Sequence, residues 1–272
     1  MSDFFSGYDP AIENRDEIAN TATPVLFALS DVEAPEEIDP RPLVRHDNQG
    51  NMGSCGGFGN TNCGEFLWGL ITGSKSNDRQ FSPLFSYLEA QRLDGLLGTD
   101  KGSTISSGLK ISKEIGYLEA KHLPYSTPYP RNARTLITDE MRRLASPFKV
   151  RSSTWLESYD AIKNYMAAGV GVCFVGSIWN HSLYARNGVL ESISMANGGG
   201  HAYCFAGYSK RKDTKGRNYL WRLNSHNDSW TEIAPSVIDQ LCRHEYTSIV
   251  GVSDLSTPGP RAVSWMQSRP LG

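Results

Sequence analysis

Three residues carry types and spacing suited to acyl-transfer chemistry: Cys55, His201 and Asn224. Cys55 lies in a glycine-rich turn, QGNMGSCGGFGN at 49–60, and opens an apolar segment. Unpaired N–H groups at a helix start stabilise negative charge, and a thiolate attacks carbonyl carbons well. A depressed thiol pKa is the expectation. His201 begins the strand-like run HAYCFAGY after a glycine turn, and Asn224 ends the run NYLWRLN. If those runs are adjacent antiparallel strands, the amide oxygen of Asn224 can accept from one ring nitrogen. That bond fixes the tautomer and aims the other nitrogen at sulfur. Each residue alone has an ordinary reading too: a buried structural cysteine, a structural or exposed histidine, a strand-end asparagine.

The elements that must position them divide by pattern. Phe58, Phe66, Leu67 and Leu70 form a helical stripe behind Cys55, although Gly56, Gly57, Gly59, Gly64 and Gly69 weaken a helix standing alone. Ser82 as cap and Pro83 in the first turn start a second helix, with Phe81, Leu84, Phe85 and Leu88 on one face and Gly95 and Gly98 beyond its end. Thr104 caps a weaker helix over 104–115, and 122–157 reads as surface chain with short elements. Ser158 starts a helix through Ala168, with Ile162, Tyr165 and Met166 inward and Gly169 as its stop. Runs at 170–178, 201–208, 218–223 and 246–252 predict a largely antiparallel sheet. The expected class is α+β, with a mainly helical lobe over 34–155 and a mainly β lobe over 156–252. A surface tail over 253–272 and an arm over 1–33 complete the chain.

Composition narrows the function. With 27 basic and 29 acidic residues in 272, the net charge is −2, which does not suit a general nucleic-acid binder. No apolar run reaches membrane-spanning length, and the N-terminus lacks a signal-peptide pattern. Five cysteines, an odd number, read as free thiols in a reducing compartment, cytoplasmic or host-cytoplasmic. Cys55 and Cys63 have no local partners with metal-ligand spacing, and no nucleotide loop appears, so no metal or cofactor is expected. The arm holds nine acidic side chains to one basic over 1–37, yet carries Phe4, Phe5, Tyr8, Ile12, Ile18 and PVLFAL at 24–29. Leaving these in water forgoes about 1.5–3 kcal/mol per large side chain, so the arm is expected to pack on the body. Its direction, toward the cleft or away from it, stays open.

QGNMGSCGGF at 49–58 resembles the nucleophile motif of papain-like cysteine peptidases. GGHAYCFAGY at 199–208 resembles their histidine motif, and the histidine stands 146 residues after the cysteine. YLWRLNSHNDSW at 219–230 resembles their asparagine motif, and PEEIDPR at 35–41 resembles the start of the mature enzyme. SPLFSYLEAQRLDG and KGSTISSGLK resemble the helical lobe of bacterial and viral members. The resemblance implies a two-lobed fold with a cleft between a helical lobe and a β-rich lobe. It implies hydrolysis of polypeptides through an acyl-enzyme, Cys55 being nucleophile, His201 base and acid, and Asn224 orienter. The side-chain amide of Gln49 and the backbone N–H of Cys55 would form the oxyanion hole. Gly102 and Ser103 resemble the segment lining the main specificity pocket, and Gly200 is assigned to substrate binding with them. A monomer without a long prosegment is implied, so that deleting residues 1–33 would lower stability without a jump in activity.

Departures from the family pattern matter. Met52 stands where the family has a disulfide cysteine. Gly56 replaces a tryptophan, which would loosen the helix start or open space. His226 and Asn227 replace a tryptophan and a glycine, and that tryptophan shields the Asn–His bond. Trp230 is the expected substitute cover. Two other classes fit the same motifs: a non-catalytic structural or interaction protein, a virion component among them, and a Cys-His isopeptidase or amidase.

Overall fold

Among the described residues, serine and threonine caps set four of the eight α-helices. The computed structural model describes residues 7–21, 34–73, 80–169, 171–185, 187–196, 198–226 and 230–257. The apolar run at 24–29, Phe4, Phe5, Asn227 and most of the tail lie outside them. Helix α1 spans Arg15–Thr21 and α2 Cys55–Thr72. Helix α3 spans Pro83–Leu93, with the Ser82 hydroxyl accepting from Phe85 N at 3.1 Å. Helix α4, Ile105–Lys110, is capped by Thr104 and widens into a π turn over Ile111–Ile115. Short helices α5, Ala133–Leu136, and α6, Asp139–Ala145, lead to strand β1, Val150–Trp155. Helix α7, Tyr159–Ala167, is capped by Ser158 and buries Ile162, Tyr165 and Met166. Then come β2, Gly171–Trp179; β3, Val189–Leu190; β4, Gly199–Lys212; β5, Asn218–Leu223; and β6, Trp230–Ile233. Helix α8, Pro235–Cys242, and strand β7, Ser248–Leu255, end the described chain.

The seven strands form one sheet in the order β1-β7-β2-β4-β5-β6-β3. Every pairing is antiparallel except that of β3 with β6. The architecture is α+β and two-lobed, as the sequence pattern predicts. One core, with Met52, Leu84, Phe85, Leu88 and Leu118, lies in the helical lobe. Another, with Ile162, Tyr203, Phe205, Val237 and Ile249, lies between the sheet, α7 and α8.

Helix α2 runs through the middle, and its glycines are close-approach points rather than weak ones. A β-carbon at Gly57 would stand 2.3 Å from Pro83 O, and one at Gly59 would stand 2.9 Å from the Phe174 ring. The helix-propensity cost of about 1 kcal/mol per glycine is offset by contact with α3 on one side and the sheet on the other.

Candidate active site

Helix α2 presents its first residue, Cys55, at the junction of the two lobes, fully buried. Its sulfur accepts from the backbone N–H of Ala202 at 3.2 Å. Ala202 follows His201 in β4, so this contact ties the nucleophile loop to the histidine strand. The antiparallel register of β4 and β5, Cys204 opposite Leu223, carries Asn224 alongside His201. His201 Nε2 lies 2.7 Å from Asn224 Oδ1. An amide oxygen only accepts, so Nε2 carries the proton and Nδ1 is the bare ring nitrogen. Nδ1 is buried and has no hydrogen-bond partner. A buried polar atom left unsatisfied is costly unless a role requires it.

Gln49 is buried beside this group. Its Nε2 donates to Met52 O at 2.8 Å, and its Oε1 accepts from Ser225 Oγ at 2.6 Å. One amide hydrogen is thereby used and one is left. Tyr125 OH donates to Gln49 O at 2.6 Å and meets Ser54 Oγ at 2.7 Å, so a single phenol braces both sides of the turn before Cys55.

Gly102, Ser103 and Gly200 border the cleft, and the cleft is filled. Residues 7–10 of the N-terminal arm run through it. Tyr8 pairs with Ser103 in the parallel sense and with Gly200 in the antiparallel sense. Ser103 N donates to Gly7 O at 2.9 Å, and Asp9 N reaches Ser103 O at 3.4 Å. The two glycines permit this approach. A β-carbon on Gly200 would stand 2.2 Å from Tyr8 O, and one on Gly102, where φ is +85°, would stand 2.7 Å from Gly7 O. Gly7 itself faces the sulfur, since a β-carbon there would stand 2.8 Å from Cys55 Sγ. Outside the cleft the arm is pinned by charge. Glu13 accepts from Ile105 N at 2.7 Å and Ser106 N at 3.0 Å, Glu17 pairs with Lys110 at 3.2 Å, and Arg15 donates to Thr247 O at 2.7 Å. Tyr8 and Ile18 are buried as expected, whereas Ile12 is exposed.

Several solved structures with a similar arrangement of chain are described as cysteine proteases. No family model matches the sequence, and no curated protein does. Among similar structures, xylellain, a cysteine protease from Xylella fastidiosa, is 21% identical, with a TM-score of 0.70 over 93% of this chain and 96% of that one. Procathepsin B S9 from Trypanosoma congolense is 16% identical, with a TM-score of 0.65 over 92% and 86%. The bromelain protease from Ananas comosus, also 16% identical, gives 0.56 over 82% and 100%. The chain has the papain-like cysteine-protease fold.

Within that fold, several expectations need correction. The thiol pKa is not depressed. Burial pushes the Cys55 thiol up to about 12, against the opposing pull of the N–H groups of Ala202, Gly7 and Gly56. Burial also holds His201 well below the usual imidazole range, helped by His226 and Arg222 and opposed by Asn224. With the arm in place both partners are neutral, because desolvation outweighs the local donors. Nor does Gly56 open space: Ser103 Oγ fills the place of its missing side chain, 2.4 Å from where a β-carbon would be. The cover over the His–Asn bond is not Trp230, which packs against Trp221 at 6.5 Å. It is Trp179, 4.3 Å from the His201 ring, together with His226.

Other supporting residues lie outside the motif pattern. Asp100 Oδ1 accepts from Gly53 N at 2.9 Å and from Tyr87 OH at 2.8 Å. Gln91 Nε2 bonds Tyr87 OH, Thr99 O and Gly102 O. This network locks the nucleophile turn to the Gly102 segment. An Asp and a Gln near a glycine segment give no distinctive spacing, so the sequence offers little signal for them. Among the described residues, no group of three or more His, Cys, Asp or Glu is placed to hold a metal ion, and no helix is long and apolar enough to cross a membrane.

Proposed function

We propose that this chain is a cysteine endopeptidase held closed by its own N-terminal arm. The observation that carries this reading is the segment at 7–10, bridged through Tyr8 to Ser103 and Gly200 beside Cys55, so that a polypeptide segment lies along the cleft. When the arm leaves, water reaches the site and the cost of charge falls. The proton of Cys55 passes to His201 Nδ1, and the imidazolium is held by Asn224. The thiolate adds to a peptide carbonyl carbon. The developing oxyanion is met by the free amide hydrogen of Gln49 and the backbone N–H of Cys55. His201 returns its proton to the departing amine, leaving a thioester on Cys55. It then takes a proton from water, whose hydroxyl adds to the thioester and releases the acid and the thiol.

The arm is not poised as a substrate. The sulfur faces the Gly7 N–H, a donor, while the Gly7 carbonyl is turned away to Ser103 N. A monomer acting on polypeptides in a reducing compartment fits this reading. The decisive experiment is a peptide-library digest by the full chain and by full-chain Tyr8→Ala, each with and without Cys55→Ala. Cleavage that is weak in the full chain, strong in Tyr8→Ala and absent with Cys55→Ala supports the proposal. Cleavage independent of Cys55 sinks it, and silence in every variant favours a non-catalytic binding protein.

A further inference from the structure

Three strands place a set of rings and one cation on a single face of the sheet. His201 lies opposite Ser177 of β2, and Trp179 stands two residues further along β2, so its side chain shares the face of His201. On β5, Arg222 stands two residues before Asn224 and so projects to the side on which Asn224 meets His201. Arg222 is only 1% exposed. Its Cζ lies 4.9 Å from the centre of the Trp179 ring and 5.6 Å from that of Tyr203. Its Nη2 donates to Leu183 O at 2.9 Å. Leu183 precedes Tyr184, whose ring meets Trp179 edge-on at 5.3 Å. The indole that covers His201 is thus held by a buried guanidinium and by the turn to which that guanidinium is anchored.

We infer that Arg222 is a positioning residue for His201: its guanidinium fixes the Trp179 indole over the His201–Asn224 bond. A buried charge is costly, and an unbranched apolar side chain such as methionine would fill a similar space without that cost. What arginine adds is a plane that lies against a ring while its edge donates to a fixed carbonyl. Trp179 then has little freedom to tilt away, and water is kept from the Nε2 proton that sets the tautomer. The charge has a second effect. The titratable or charged groups facing His201 are Cys55 from α2, His226 from the turn after β5, Arg222 from β5 and Tyr203 from its own strand. Burial, then His226, then Arg222 oppose the imidazolium, and Asn224 supports it. Removing the Arg222 charge therefore makes His201 the stronger base. The role is catalytic only under the peptidase reading, on which the inference rests, but the stack itself can be read without turnover.

Proton NMR separates the stack from the chemistry. In the full chain, the Nε2 proton of His201 is the resonance lost in His201→Ala. It should exchange with water about tenfold faster in Arg222→Lys, which keeps the charge and loses the plane. In Trp179→Leu it should exchange at least as fast, and adding Arg222→Lys should change nothing further, because Arg222 acts through Trp179. Arg222→Met keeps the length and loses the charge. In full-chain Tyr8→Ala it should raise the titration midpoint of His201 by about half a unit or more, and the alkaline limb of kcat/KM should rise with it. If Arg222→Met fails to fold, Arg222→Gln takes the same measurements. Unchanged proton exchange in Arg222→Lys, additive effects of the Arg222 and Trp179 changes, or an unmoved midpoint in Arg222→Met overturns the inference. A lower melting temperature with none of these changes marks packing alone and overturns it too. Altered exchange and midpoint with no cleavage by any variant that keeps Cys55 overturns the peptidase reading and leaves the place of Arg222 standing.

Discussion

The ring of His226 lies flat against that of His201, centroids 4.6 Å apart and planes within 17°. The pair sits under Trp179, which contacts both rings. A second imidazole gives the same shielding from water as an aromatic ring, but it makes the charged form of His201 harder to reach. His226→Trp should keep the cover and remove that opposition. In the arm-loosened Tyr8→Ala background, the alkaline limb of kcat/KM should move upward. An unchanged limb would show that His226 acts as packing only.

Loosening the arm should release activity. Tyr8→Ala removes a buried aromatic side chain, a change that costs about 3–5 kcal/mol in well-packed sites. Part of that loss falls on docking of the arm. We expect turnover of a peptide substrate to rise by about tenfold or more, with a lower melting temperature. This reverses the activity part of the expectation drawn from sequence for deletion of 1–33, because the segment at 7–10 sits in the cleft rather than beside it. Equal activity with and without the Tyr8 side chain would show that the arm does not limit access.

Closure should depend on pH in a definite direction. His201 is neutral and depressed when covered, so the open form binds more protons once pH falls below the ordinary value of 6.5, and closure weakens. Cys55 is raised when covered, so the open form loses its proton above the ordinary value of 9.0, and closure weakens again. Glu13 works the other way at low pH. Burial raises its pKa in the docked arm, so proton uptake favours docking as pH falls through that raised value, and the gain is complete below its ordinary value of 4.5. Amide exchange at Gly7 and Tyr8 should therefore be slowest, after correction for intrinsic rates, between about pH 6.5 and 9. Protection rising steadily from pH 9 to pH 5 would contradict the neutral-pair description.

Loss of the orienting amide should be graded, not total. Asn224→Ala frees the Nε2 proton of His201 and lets the ring turn, and we expect kcat to fall by about 10²-fold. His201→Ala and Cys55→Ala should abolish cleavage, and the fold should survive in all three by circular dichroism. Full activity in Asn224→Ala would remove it from the mechanism.

The Gly56–Ser103 contact predicts a compensating pair. Gly56→Ala should gain about 1 kcal/mol in helix propensity but meets Ser103 Oγ at 2.4 Å, for a net loss of about 1–3 kcal/mol. Adding Ser103→Gly should restore thermal stability to the original level. Failure of the second change to rescue the first would mean that the clash is relieved in another way.

Much of this was legible in residue types and order. The caps at Ser82, Thr104 and Ser158 each accept from the backbone N–H three residues on, because capping is a local property. His201 and Asn224 meet because their strand runs are consecutive and antiparallel. The arm's route could not be read in the same way. Tyr8 pairs with residues 95 and 192 positions away, and nothing local marks a segment whose two bridges both come from elsewhere. The raised thiol pKa follows from that same route, since burial by a distant segment cancels what a helix start supplies. Trp179 was missed as a shield because its approach to His201 comes from β2, across the sheet.

Because the segment at 7–10 is tethered to the chain whose cleft it occupies, its competition with a substrate under the proposed function would be intramolecular. Its effective local concentration would be set by the tether and would not change when the protein is diluted. Ordinary substrate levels would therefore lose to it, and a single cut between the cleft segment and the body would turn a permanent competitor into a dissociable peptide. Under the proposed function such a molecule would act as a one-way timer: its output would follow the severing of the tether, not the amount of substrate around it.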